Sequence, residues 1–136
     1  MPIDPPRWLL CSLFILGACS KREPEHFGLP VGLRLHVAGV TFEAALAVSS
    51  PEEPLPLVPK VAELLSAALP ACADARARLR EGQVLRFRLR AKQGSIVAAD
   101  SGEDATTACL TRKAMGREVG STAELSLVIE LREKGQ

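Results

Sequence analysis

The chain has 136 residues, with 17 lysines and arginines against 16 aspartates and glutamates and a formal net charge of +1. That balance argues against a nucleic-acid partner, whose footprint is a strongly basic domain. An aromatic content of 4%, with one tryptophan and no tyrosine, leaves little with which to stack bases or sugars, and the length suits one small domain with a short extension.

Met1 to Arg7 is a short polar start in which Arg7 is the only strong base and Asp4 opposes it. The apolar run from Trp8 to Ala18 follows. It is too short to span a bilayer, which takes about 20 residues, and it ends in small residues, as an export signal does. Leu16-Gly17-Ala18-Cys19 resembles the lipobox of bacterial lipoproteins. The resemblance implies that residues 1–18 are a signal peptide cut off after Ala18. It also implies that the Cys19 thiol takes a diacylglycerol group and that the freed amine is open to acylation. Two or three chains suffice for stable anchoring, where one does not. Ser20 in place of an aspartate implies sorting to the outer membrane, facing the periplasm. An ordinary secretory signal with a chance cysteine is the alternative reading.

The four cysteines then sort by compartment. Cys11 leaves with the signal and Cys19 carries lipid. Cys72 and Cys109 are left together in an oxidising space, where a disulfide is the natural pairing. A metal site is the competing reading; it lacks ligands, since His26 and His36 are distant and single. Two buried thiols are the third reading. No metal or cofactor is expected.

Residues 19–30 read as a lipidated polar tether. Residues 31–48 read as a strand pair: Leu33, Leu35 and Val37 alternate with Arg34 and His36, Ala38-Gly39 offers a turn, and a second strand follows with an ambiguous middle at Glu43-Ala44-Ala45. Residues 49–59, rich in proline, read as an extended connector. From Lys60, the apolar positions Val61, Leu64, Leu65, Ala68 and Leu69 have helical spacing. Pro70 should kink that helix or restart it, Cys72, Ala75 and Leu79 carry the apolar face on, and Glu81-Gly82 stops it. Val84 to Ala91 is a strand with Leu85, Phe87, Leu89 and Ala91 on one face and Arg86, Arg88 and Arg90 on the other. Gln93-Gly94 turns it into a short return strand, Ser95 to Ala99, with Ile96 and Ala98 sharing a face. Ser101 and Asp104 have capping-box spacing. A helix from about Asp104 to Met115 follows, with Ala105, Ala108, Cys109 and Met115 as its candidate buried positions. Ala123 to Arg132 is the last strand, Leu125, Leu127, Ile129 and Leu131 inward, and the tail is solvated.

The expected fold is therefore α+β: a small antiparallel sheet with two helices on one face in the order α-β-β-α-β over residues 60–133, preceded by the strand pair. Residues 61–132 resemble the carboxy-terminal domain of AgmX/PglI-type proteins, which is itself similar to those of TonB and TolA. The stretches that carry the resemblance are Leu69-Pro70-Ala71-Cys72, Val84 to Leu89, Lys92-Gln93-Gly94-Ser95 and Ala108-Cys109-Leu110. The chain departs from that pattern at Ala73, where the family carries an aromatic residue, and at Met115-Gly116, where it carries Phe-Pro. The resemblance implies an envelope interaction module without catalytic residues.

The function expected from these features is a membrane-anchored, non-catalytic binding or scaffold module with an envelope protein partner. The row Arg86, Arg88 and Arg90, with Arg76 and Arg80 near it in sequence, is a candidate face for an anionic partner. The alternative is that these arginines are a solvated strand face paired with Glu124 and Glu130. A small-ligand or lipid carrier would need a cavity between the strand pair and the main domain. An enzyme would need convergent titratable groups, and the one tight carboxylate cluster, Asp100, Glu103 and Asp104, is explained by turn and cap duty.

Overall fold

A computed structural model describes residues 26–77, 82–102 and 104–135. The expected signal peptide, Cys19, most of the expected tether, and Leu79, Arg80, Glu81 and Glu103 lie outside the described residues. The observed class is α+β, built on one five-stranded antiparallel sheet.

The strand pair forms as the alternation predicts. β1 (Val31–Val37) and β2 (Val40–Val48) pair antiparallel around Ala38-Gly39. Both turn residues have positive φ, 52° and 81°, the conformation of a two-residue hairpin turn whose twist matches the strands. Glu43-Ala44-Ala45 continues β2 without a break. This pair belongs to the main sheet: β2 is hydrogen-bonded along its length to β5 (Leu125–Gly135), and β5 in turn to β3 (Val84–Lys92). With β4 (Ser95–Ser101) outside β3, the order is β1-β2-β5-β3-β4.

The proline-rich stretch does more than connect. Ser50–Pro51 is a cis peptide, Pro54 and Leu57 are buried, and Leu55–Leu57 makes a 3-10 turn that leads into helix α1 (Val58–Ala71). Pro59 sits in the first turn of α1, where a missing N–H costs nothing. The helix therefore starts before Lys60. It also runs through Pro70, which is exposed. Pro70 cannot donate to the carbonyl of Ser66, itself exposed, so solvent can take that bond. The break comes at Cys72, after which a single turn, α2 (Ala73–Arg76), follows.

β4 departs from its expected pattern. A bulge between Arg90 and Ala91 pairs Ala91 with Ile96 and Arg90 with Ala98. Ile96 thus faces the core and Ala98 faces out among the arginines. The extra residue, Val97, is what a bulge leaves unpaired. Helix α3 (Ala105–Ala114) is capped by Asp104, whose carboxylate accepts from Thr106 N at 2.8 Å; Ser101 lies in β4 and is not the cap. The face that α3 buries is also rotated from expectation. Thr106, Thr107, Cys109, Leu110, Thr111 and Ala114 are buried, whereas Ala105 and Met115 are exposed and Ala108 half-buried. Threonine hides the stripe: Thr107 and Thr111 return their hydroxyls to the carbonyls of Asp104 and Ala108, both at 3.0 Å, which leaves their methyl groups for the core.

α1 and α3 pack on each other, α1 over β1 and α3 over β3 and β4. The core between them and the sheet is continuous. Leu46, Val48, Leu65, Leu69, Leu127 and Ile129 are fully buried, each worth about 1.5–3 kcal/mol in water-exclusion terms.

Candidate interaction surface

Cys72, at the end of α1, and Cys109, on α3, are disulfide-bonded with Cα atoms 5.9 Å apart. Both are buried, so the bond clamps the two helices together under their shared apolar face.

Among the described residues the other side of the sheet carries no helix. Its side chains are the outward set of each strand, and register sorts them into rows. One row runs Arg34–Glu43–Arg132–Val84 across β1, β2, β5 and β3, and the next runs Gly32–Ala45–Glu130–Arg86. Opposite charges alternate along them. Arg34 bonds Glu43 at 3.3 Å, and Arg132 and Lys134 both reach Glu43 at 3.2 Å. Hydrogen bonds from Lys134 and Arg132, then Arg34, hold the Glu43 carboxyl below the usual carboxylate range. The small residues Gly32 and Ala45 leave an open groove of about 610 Å³ walled by Arg34, Glu43, Glu130, Arg132 and Val84.

The arginine row lies on this outer face. Arg86 pairs with Glu130 at 3.2 Å and Arg90 with Glu124 at 3.0 Å, while Arg88 stands opposite Asp100 in the ladder and 5.5 Å from the Phe27 ring. Arg76 does not join it. Its guanidinium stacks over Phe42 at 5.1 Å and donates to the Leu69 carbonyl at 3.2 Å, so it closes the end of α1 on the helical side. His36 is exposed and shares a 3.1 Å hydrogen bond with Thr41. Asp100 stands among the arginines and Asp104 caps α3, so the carboxylates expected as a cluster are spread over separate tasks. No group of three or more metal-ligating side chains occurs among the described residues.

Glu43 and its three cations were not singled out by sequence reasoning. Each is a polar residue at an alternating position, but what gathers them is the register of β1, β2 and β5, residues 9 and 89–91 apart in the chain.

The two sheet edges differ. β4 is shielded: Arg117 O accepts from Ile96 N at 2.9 Å, Gly116 N donates to Ile96 O at 2.9 Å, and Ser95 bridges Glu118. β1, seven residues without proline or bulge, has no described strand beyond it. The chain arrives beside it: Phe27 bridges Ser49, Ser50 N donates to His26 O at 2.6 Å, and Gly28 N to Val48 O at 3.2 Å.

No protein-family model matches the chain, and no curated protein and no solved structure is significantly similar to it.

Proposed function

We propose that this chain is a lipid-anchored envelope protein, acylated at Cys19 and held at the periplasmic face of the outer membrane, whose domain is a non-catalytic binding or scaffold module. The observation that carries the binding role is the asymmetry of the sheet. One face is sealed by two clamped helices, while among the described residues the β1 edge and the charged end of the other face stay uncovered. An uninterrupted edge strand is a ready template for a partner's strand. The titratable groups support binding over catalysis, because they are committed to structure: Glu43, Glu124 and Glu130 hold cations across the sheet, and Asp104 caps α3. The disulfide supports export, since such bonds persist in oxidising compartments. The helix–strand–strand–helix–strand order with a cysteine at each helix agrees with the resemblance to the TonB- and TolA-like carboxy-terminal domains.

Metabolic labelling with a fatty-acid probe tests the anchor: label should be lost in Cys19→Ala, and label retained by that variant sinks the lipoprotein assignment. The binding role is tested in intact cells with a photo-crosslinking side chain at Leu33, half-buried on the β1 edge strand, and, separately, at Glu63 on α1. Discrete adducts from position 33 and none from 63 are expected. Equal patterns from both positions would overturn the assignment of the partner to the β1 edge.

A further inference from the structure

The domain is almost neutral, yet it segregates its charge. Among the described residues the outer sheet face carries seven cations: Arg34 on β1, the alternate β3 positions from Arg86 to Lys92, and Arg132 and Lys134 on β5. Only four carboxylates, Glu43, Asp100, Glu124 and Glu130, share that face. The remaining described surface has the opposite balance, five cations against seven carboxylates. The ion pairs across the sheet reduce the field of the face but leave an excess of three positive charges on it.

The chain also approaches on this side. The Phe27 ring stands against the Arg88 guanidinium, on the outer side of the sheet. From Cys19 to Phe27 the backbone can span at most about 28 Å, so a bilayer holding an acylated Cys19 lies within that reach of the face. Electrostatic attraction acts over a Debye length of about 8 Å, which the tether is short enough to allow.

We propose that the outer sheet face docks on the anionic phospholipid headgroups of the membrane that carries the anchor, so that the domain lies sheet-down on the bilayer with its helices away from it. The proposal rests on the anchored reading for its orientation and on the charge segregation for its chemistry. The cations are spread over three strands instead of converging on one point, which fits a plane of many headgroups better than one acidic side chain. Val84, 54% exposed in the row of Arg132, adds an apolar contact at the same face.

The test uses the unacylated chain of residues 19–136 carrying Cys19→Ser, mixed with vesicles of phosphatidylcholine alone or with phosphatidylglycerol added. Partitioning should require phosphatidylglycerol and fall as salt rises. Each basic residue near an anionic surface multiplies partitioning about fivefold, so Arg34→Gln with Lys134→Gln should lower it about 25-fold. Glu124→Gln with Glu130→Gln should raise it about 25-fold on phosphatidylglycerol vesicles and leave phosphatidylcholine vesicles unbound, a selectivity that apolar exposure on misfolding does not produce. Lys60→Gln with Lys113→Gln, on the helical side, should change it less than about twofold. Equal partitioning onto both vesicle types, or an equal loss from the helical-side pair, overturns the proposal. So does a protein that ignores anionic vesicles but is retained by polyglutamate, which would make the partner an acidic protein. Because no acyl chain is present, this result stands or falls apart from the labelling of Cys19.

Discussion

Removal of the Cys72–Cys109 bond is the perturbation whose size the structure fixes most directly. The two residues are 37 apart in sequence. Closing a loop of that length removes about 13 cal/mol/K of chain entropy from the unfolded state, or about 4 kcal/mol at 25 °C. The folded state adds little to this figure, since both cysteines stay buried between α1 and α3 and alanine in their place leaves only a small void. The Cys72→Ala, Cys109→Ala double variant should therefore lose about 4 kcal/mol in urea unfolding, with a larger m because its unfolded chain is more open. In a domain of this size that corresponds to a fall in Tm of about 15 °C. Small domains hold about 5–15 kcal/mol in all, so the variant would fold but with much of its margin gone. A loss below about 1 kcal/mol at unchanged m would refute the cross-link argument. It would mean that the helices are held by packing alone.

Three further outcomes follow from single contacts. Leu127→Ala removes a fully buried side chain from the central strand and should cost about 2–5 kcal/mol in the same urea assay. Asp104→Ala deletes the cap on Thr106 N and should cost about 1 kcal/mol, with early hydrogen exchange in the first turn of α3. Hydrogen bonds from Lys134, Arg132 and Arg34 hold the Glu43 carboxyl below the ordinary glutamate range, so its contribution is present above that range and lost as pH falls through the lowered pKa. Glu43→Gln should then flatten the acid limb of the stability curve while leaving the neutral range of that curve parallel to the parent's; an unchanged acid limb would show that the three cations do not act through this carboxylate.

Much of this fold was legible because its local signals agree with one another. Alternation located β1, β3 and β5, and the turn residues at Ala38-Gly39 and Gln93-Gly94 marked both hairpins and so the strands that return from them. What misled was chemistry that reads two ways. Thr106, Thr107 and Thr111 count as polar in a pattern, but all three go inward: Thr107 and Thr111 bond their hydroxyls to carbonyls three residues back, and the Thr106 hydroxyl is buried without a hydrogen-bond partner among the described residues. Prolines at 54, 56 and 59 suggested a bare connector, yet proline is welcome in a 3-10 turn and in the first turn of a helix. The bulge at Val97 moved Ala98 to the outer face, and nothing in a short return strand announces an extra residue.

Strand order was the harder question, and β5 shows where its signal lay. Leu125-Ser126-Leu127-Val128-Ile129 runs five residues without a charge, unlike β3, which alternates strictly with arginine. A strand at an edge, or one with its outer face in water, can keep charges there; a strand covered on both faces cannot. Ser126 and Val128, on the outer face, are in fact buried, where Ser49 and the Phe27 side of the chain close over that end of the sheet. At the other end of β5, Glu130 and Arg132 return and the outer face opens again. The uncharged run therefore marks both the centre of the sheet and the end at which the chain arrives, and the charged end marks the part of the face left for a partner. The strand pair of residues 31–48 joins β5 through β2, with Ala45 and Ala47 opposite Glu130 and Val128. Ala45, with Gly32 on β1, also lines the groove, so the register that joins the strand pair to β5 shapes the surface on which the proposed function depends.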